Sequence, residues 1–217
     1  MNKTDEQLKT EIETELRWDP KINGVRIAVT VEGGAVSLHG AVDTYAEKWA
    51  AEDAVMRVHG ARTIAQHLTV ELPPHHMRSD KELPAAVHNQ LKWDVFVPKN
   101  VAGTVRDGVV TLTGQVTWNF QRASAERAIQ HLAGIVAVID AIVLKPEVST
   151  GQVKEKIETA LRRQATADGK LIVVTAAGST VTLSGEASSW DAANDARNAA
   201  WAVAGVTDVV DHLHVAY

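Results

Sequence analysis

The residues in this sequence that could most readily take part in catalysis or metal binding are its nine histidines. Serine and aspartate are also present, but cysteine is not. His212 and His214 stand two apart in an alternating segment and would therefore share one face of a strand, whereas His75 and His76 are adjacent in a linker. Neither pair comes with the carboxylate-rich set or the H-E-x-x-H spacing of a metal centre. We interpret them as solvent-facing histidines, and we expect no metal or other cofactor.

Motifs for catalysis are also missing from the sequence. The nucleophile elbow G-x-S-x-G and the phosphate-binding string G-x4-G-K-[ST] do not occur. Without cysteine there is no disulfide scaffold, no thiolate metal site and no cysteine nucleophile. The sequence therefore predicts a non-enzymatic protein with a binding or scaffold role.

Composition indicates a soluble, folded chain. Its 217 residues are 45% hydrophobic and 23% charged, with a formal net charge of −5 that argues against a nucleic-acid partner. The first residues, MNKTDEQLKTEIETEL, lack the apolar stretch of a signal peptide, and no apolar run is long enough for a membrane span. We expect a cytoplasmic protein, either free or peripheral to a membrane.

Three copies of one unit account for almost the whole chain. Apolar residues spaced four apart recur as Leu8, Ile12 and Leu16, then Leu83, Val87 and Leu91, then Val153, Ile157 and Leu161. The motif V-[ST]-L-x-G ends each time on a glycine, and another glycine follows 20 residues later: Gly40 and Gly60, Gly114 and Gly134, Gly185 and Gly205. These structural glycines define three predicted domains, residues 4–72, 80–146 and 149–217, called here the first, second and third copies.

Within each copy the hydrophobic period changes in a fixed order. A helix with a four-residue repeat opens the copy, with capping-box spacing at Thr4 and Ser149 and a cap at Asp80. Alternating segments around a turn such as Asp107-Gly108 predict a hairpin, and an alanine-rich helix and a last strand follow. The helical crossover makes the last strand parallel to its neighbour. The predicted fold is α+β: three α-β-β-α-β units, each a three-stranded mixed sheet with two helices on one face.

The motif V-[ST]-L-x-G, the alanine-rich helix and the later G-x3-[VI] resemble the BON domain of bacterial osmotic-stress and nodulation-related proteins. The third copy carries the strand motif as Gly205-Val206-x-x-Val209-x-Asp211-x-Leu213, and the first departs from it with Ala61 after Gly60. The resemblance implies a non-enzymatic module that associates with phospholipid membranes or with other envelope components.

Aromatic residues give the alanine-rich helices of two copies a second apolar face. At 100° per residue, Tyr45, Trp49 and Met56 fall about 120 to 160° away from the core stripe of the first copy. Trp190 and Trp201 take the places of Tyr45 and Met56 in the third copy. A helix in a two-layer unit needs one apolar face, so we expect the second to contact another domain or another chain, although single tryptophans often serve only as packing.

The second copy has a different aromatic set and a different charge. Trp93 and Phe96 follow its first helix, Trp118 and Phe120 begin its second, and the loops holding them would meet at one end of the sheet. Residues 75–146 carry 8 basic and 6 acidic side chains, a net +2, against −4 before and −3 after them. Aromatic rings beside basic groups are typical of a surface patch that binds a membrane or a protein partner. An equally weighted alternative is that Trp118 packs in the core with Trp93 beneath it.

These features support three hypotheses of function. The leading one is a non-enzymatic protein of three BON domains that binds a phospholipid membrane surface or an envelope or stress partner, as under osmotic stress. The second is a protein–protein scaffold or homo-oligomeric module that binds no lipid. The third is a sensor of a small ligand or ion, with its site in a cleft between domains.

Overall fold

The computed structural model describes residues 3–78, 82–145, 172–203 and 205–215. The first copy contains α1 (Asp5–Trp18), β1 (Ile27–Glu32), β2 (Ala35–Val42), α2 (Tyr45–Arg57) and β3 (Thr63–Val70). The second contains α3 (Glu82–Trp93), β4 (Ala102–Arg106), β5 (Val109–Val116), α4 (Asn119–Ile129) and β6 (Ala137–Leu144). The third contains β7 (Ile172–Ala177), β8 (Thr180–Ala187), α5 (Trp190–Trp201) and β9 (Asp208–Val215). Short 3-10 helices span Gly24–Arg26 and Pro74–His76.

Each copy has one three-stranded mixed sheet, which confirms the predicted fold class. In the first, β1 and β2 are antiparallel, with Ile27 opposite Gly40, and β2 and β3 are parallel. The third repeats this pattern, and in the second the strand order is β4-β5-β6. The predicted first helix of the third copy and the predicted caps at Asp80 and Ser149 lie outside the described residues.

The core of the first copy lies between one face of its sheet and both helices. The residues predicted to form the helical stripe, Leu8, Ile12 and Leu16, are all buried. Strand residues such as Leu38 point to the same side and join them, whereas the adjacent His39 is exposed on the other face because side chains alternate along a strand. The second copy buries Leu83, Val87 and Leu91 in the same way.

Local hydrogen bonds fix the beginning of α1 and the hairpin beside it. The Thr4 hydroxyl accepts from the Gln7 amide, and the Gln7 side chain accepts from the Thr4 amide at 3.0 Å, forming the predicted capping box. The carboxylate of Asp5 accepts from the amides of Gly33 and Gly34, at 2.7 and 3.0 Å. This contact joins the turn between β1 and β2 to the start of the helix.

The glycine at the end of the V-[ST]-L-x-G motif is required by space as well as by its backbone angle. Gly40 has a φ of 125°, and a Cβ there would lie 2.1 Å from the carbonyl oxygen of Arg26, the residue before β1. Gly114 repeats this with a φ of 143° and a Cβ position 2.7 Å from the Asn100 oxygen. The other repeated glycines, Gly60, Gly134, Gly185 and Gly205, also have positive φ.

The chain divides into two compact units that do not follow the copies. One comprises Met1–Gly114 and Ser124–Ile142, and the other comprises Gln115–Ala123 and Val143–Tyr217. Each of the three sheets nevertheless falls within one of the predicted segments 4–72, 80–146 and 149–217, whose boundaries stay a prediction.

Candidate interaction site

An exposed apolar loop follows α3 in the second copy. The helix ends at Trp93, whose residue surface is 82% exposed, and Val95 is 88% exposed. Phe96 is also largely exposed. Asp94 turns the chain here, because its amide donates to the Gln90 carbonyl at 3.2 Å and its Oδ1 accepts from the Phe96 amide at 2.8 Å. The loop thus presents apolar side chains to water on a defined backbone.

The other half of the predicted patch lies where α4 begins. The Gln121 side-chain oxygen accepts from the amides of Thr117 and Trp118, both at 3.1 Å, and closes the first turn of the helix. Trp118 is half-buried and Phe120 is half-exposed. Trp93 and Phe96 belong to one compact unit and these residues to the other, so the four-residue patch stays a prediction.

The structure reveals a matching tryptophan in the first copy that our sequence interpretation missed. Trp18 is the last residue of α1 and is 80% exposed, and Val25, in the 3-10 helix Gly24–Arg26, is 92% exposed. Asp19 forms the same turn as Asp94: its amide donates to the Glu15 carbonyl at 3.1 Å, and its Oδ1 accepts from the Lys21 amide at 3.0 Å. The signal was present in the sequence as a Trp-Asp pair two residues after Leu16 and after Leu91.

Hydrogen bonding favours the ionised form of the Asp19 carboxyl. The Lys21 amide lowers the pKa of the Asp19 carboxyl, burial opposes that change, and the Arg57 guanidinium lowers the pKa further. Arg57 pairs with Asp19 at 2.9 Å and with Glu15 at 3.0 Å. Arg57 also pairs with Asp53 at 2.7 Å, so one cation on α2 is shared by three carboxylates near Trp18.

A buried carboxylate holds together the two loops at this end of the first sheet. Glu47 of α2 accepts from the Asn23 amide at 2.5 Å and from the Asp43 amide at 2.7 Å. Arg26 pairs with Asp43 at 2.6 Å and with Glu71 across the same region. Both Glu47 oxygens accept backbone N–H groups, so the carboxylate joins the loops that contain Asn23 and Asp43.

The second face of α2 is partly covered. Tyr45 and Met56 are half-buried, and Trp49 is 40% exposed. Burial raises the pKa of the Tyr45 hydroxyl, a hydrogen bond with Trp49 opposes this, and the negative charges of Glu126 and Glu52 raise the pKa further. Burial likewise raises the pKa of Glu52, against the nearby Lys48. This face therefore combines aromatic rings with polar groups partly removed from water.

The tryptophans of α5 contact arginines. Trp190 and Trp201 are both half-buried. The Arg197 guanidinium lies 6.0 Å from the Trp190 ring centroid and pairs with Asp211 at 3.1 Å. Arg122, in the same compact unit, lies 5.3 Å from the Trp201 ring centroid. These contacts occupy part of the aromatic face predicted for this helix, and its use between domains or chains stays a prediction.

Histidines form pairs but no larger cluster in the described part of the chain. His39 and His67 stack across β2 and β3 with ring centroids 4.9 Å apart, and His75 and His76 meet edge to face at 4.3 Å. His212 and His214 are exposed on β9. Among residues 3–78, 82–145, 172–203 and 205–215, no three His, Cys, Asp or Glu residues are grouped to hold a metal ion. None of the helices described is long and apolar enough to cross a membrane.

Comparison with known proteins defines the class of module to which these units belong. The model of the BON domain matches residues 4–71, 79–146 and 149–217. The chain therefore belongs to the BON domain family and contains three tandem copies. Members of this family generally bind lipid or protein and are, in general, not enzymes. No curated protein matches the sequence.

Solved structures give only distant likenesses. One is CdsD, a structural protein of the type III secretion system of Chlamydia trachomatis, at 13% identity and a TM-score of 0.26, with 95% of this chain and 91% of that chain covered. Another is the PrgH periplasmic domain, at 10% identity and a TM-score of 0.23, with 88% and 96% covered. At these values the likenesses carry no argument about function.

Proposed function

We propose that this protein is a non-catalytic module that attaches weakly and reversibly to an anionic phospholipid surface through its second copy. The observation that supports this most directly is the exposed loop after α3, where Trp93 and Val95 are more than four-fifths exposed. Contiguous exposed apolar side chains on a soluble fold are typical of a binding surface. Indole and phenyl rings are also the side chains that enter the boundary between headgroups and acyl chains.

The charge of the second copy suits an anionic surface better than the chain as a whole. The full chain has a net charge of −5 and gains no long-range attraction, so any attraction must be local. The exposed loop is bordered by Lys92 and Lys99, and residues 75–146 carry a net +2. Each basic group near the surface contributes about 1 kcal/mol. A few such groups with a few rings give attachment that is reversible and sensitive to salt.

Co-sedimentation with vesicles tests this proposal. The variant Trp93→Ser with Phe96→Ser removes two rings from the loop, and we expect it to bind vesicles of phosphatidylcholine and phosphatidylglycerol about tenfold or more weakly than the unchanged chain. The matched control is Ile139→Ser with Val143→Ser, which removes two exposed apolar side chains from β6 of the same copy. Equal loss in both variants would indicate a general effect of hydrophobicity and would count against the loop.

A protein scaffold without lipid binding is the second candidate function. The observation in its favour is Trp49, which stays 40% exposed on the second face of α2. A tryptophan in that state is a typical anchor for a protein partner or a second copy of the chain. The molar mass in solution separates this candidate from attachment to lipid, because a scaffold formed by copies of the chain would have a mass above that of one chain.

A further inference from the structure

We propose that the second and third copies dock on each other through their alanine-rich helices, with Arg122 of α4 held against the ring of Trp201 of α5. The inference assigns the aromatic face of α5 a partner within the same chain. It does not depend on the proposed lipid surface, because the loop after α3 takes no part in the contact.

The beginning of α4 belongs to the same compact unit as the third copy. Residues Gln115–Ala123, which include the first turn of α4, form this unit together with Val143–Tyr217. Within it, the Arg122 guanidinium lies 5.3 Å from the ring centroid of Trp201. Arg122 is part of the second copy and Trp201 is part of the third. The contact therefore joins two copies inside one compact unit.

Trp201 is positioned by the core of its own copy. It is half-buried and packs against the cluster that contains Val181 and Leu183. A guanidinium within about 6 Å of an indole centroid is attracted by the negative face of the ring. The first copy has Met56 at the position of Trp201, and a methionine offers a cation no such face. The third copy thus carries the ring that this contact requires.

The other tryptophan of α5 contacts a cation of its own copy. Arg197 lies 6.0 Å from the ring centroid of Trp190, seven residues earlier on the same helix, and pairs with Asp211 of β9 at 3.1 Å. Trp190 therefore has an internal partner, whereas Trp201 receives its cation from the second copy. This difference argues that Trp201 has a role between copies and that Trp190 does not.

The residue type at position 122 suits a contact with a neighbouring ring. In the first copy Lys48 takes this position, three residues before the core alanine, and donates to the Leu68 carbonyl of its own sheet at 3.0 Å. An ammonium is a compact point charge, but a planar guanidinium also stacks on aromatic faces. Arg122 accordingly reaches the ring of another copy, where Lys48 turns back to its own strand.

The short connection between the copies allows one weak contact to be effective. The matched domains end at residue 146 and resume at residue 149, so two residues separate them. A tether of this length keeps the copies at a high local concentration. One cation–π contact shifts an equilibrium about fivefold, and this shift then favours the docked arrangement over other arrangements.

The absence of cysteine allows the distance between the two copies to be measured with spin labels. Thr113→Cys on β5 and Val173→Cys on β7 place one label at an exposed position of each sheet. Pulsed electron paramagnetic resonance should give a narrow distance distribution for this labelled chain. Arg122→Gln should increase the population outside the narrow peak about fivefold. The matched control is Arg127→Gln, an exposed arginine later on the same helix, which should leave the distribution unchanged.

A double-mutant cycle assigns the effect to the pair. Trp201→Leu should broaden the distribution as Arg122→Gln does, and the two changes together should have no larger effect than either alone, because both remove one contact. Trp201→Phe keeps an aromatic ring and should restore most of the narrow peak. Circular dichroism checks folding, and if Trp201→Leu loses helix, the comparison of Arg122→Gln with Arg127→Gln decides. A broad distribution in the labelled chain without these changes, or equal effects of the two arginine changes, would overturn the docking contact.

Discussion

At the scale of single residues, the buried Glu47 shows how one side chain joins two loops of the first copy. It accepts the amides of Asn23 and Asp43, one from each loop. Glu47→Ala would leave two backbone donors without partners, and we expect a loss of about 2 to 4 kcal/mol in the free energy of unfolding, measured in urea. Glu47→Gln should lose less, because Gln121 closes the corresponding turn of the second copy with one amide oxygen.

The matched control for Glu47 is Glu13→Ala on α1, which removes a partly exposed carboxylate that does not bridge these loops. Its effect should stay within about 0.5 kcal/mol. If Glu47→Ala is as stable as Glu13→Ala, the carboxylate does not hold the loops.

The lowered pKa of Asp19 predicts that the stability of the first copy depends on pH. Its pKa is lower in the folded chain than the ordinary value of about 3.9, chiefly through the Lys21 amide. The ionised form is therefore favoured by folding, so its stabilising contribution is present above pH 4 and is lost as the pH falls through the folded pKa. We expect the difference in urea midpoint between the unchanged chain and Asp19→Asn to shrink below pH 4. A difference that is constant from pH 7 to pH 3 would contradict this.

Gly40 tests the spatial requirement of the repeated motif. Gly40→Ala would place Cβ 2.1 Å from the Arg26 oxygen at a φ of 125°, and the strand pair must separate to accept it. We expect a loss of several times the roughly 1 kcal/mol expected for Gly33→Ala, where φ is 57° and no atom lies within 4 Å of the added Cβ. The midpoints of thermal unfolding compare the two variants. Equal midpoints would show that β1 moves away from the added methyl group without loss of stability.

At the scale of elements, much of each copy is predictable from its sequence, because the hydrophobic period and the turn residues indicate the same boundaries of helices and strands. The stripe of Leu8, Ile12 and Leu16 and the Asp107-Gly108 turn appear as predicted. Glu47 and Trp18 were not predictable in this way. A carboxylate in an alanine-rich helix looks solvent-facing by pattern, and its burial depends on amides brought close only by the fold. Trp18 continues the end of an amphipathic helix, and its exposure depends on where the chain turns at Asp19.

Side chains bond one backbone group on the last strand of each sheet. Lys48 donates to the Leu68 carbonyl at 3.0 Å on β3, and Asp140 and Asp211 accept from the amides two residues later on β6 and β9. Such contacts use backbone groups that another strand would need. A strand added at β3, β6 or β9 would therefore have to displace one of these contacts.

The second face of α2 gives the prediction for assembly. Replacing Trp49 and Trp201 together with serine should lower the molar mass if these faces join chains, or increase the radius of gyration if they join domains, because both changes remove aromatic contact area. Light scattering and small-angle X-ray scattering measure the two quantities, and circular dichroism checks that the helices remain. Unchanged mass and radius would count against a role for these faces.

At the scale of the whole molecule, the three copies share a fold and differ in surface. The segment around the second copy is the basic one, and the first two copies end their opening helix in an exposed tryptophan. The position corresponding to Trp18 in the third copy is Arg163, which lies outside the described residues. The three sheets thus share one strand order, and the side chains exposed around them differ between copies.

Binding of the unchanged chain to vesicles, as a function of salt, tests the central proposal most directly. Vesicles of phosphatidylcholine with one-third phosphatidylglycerol should sediment the protein at low salt and release part of it as salt rises, while a fraction held by the apolar loop after α3 persists. Vesicles of phosphatidylcholine alone should bind it more weakly and without dependence on salt. Absence of binding to the anionic vesicles at low salt would contradict the proposal of a lipid-binding function.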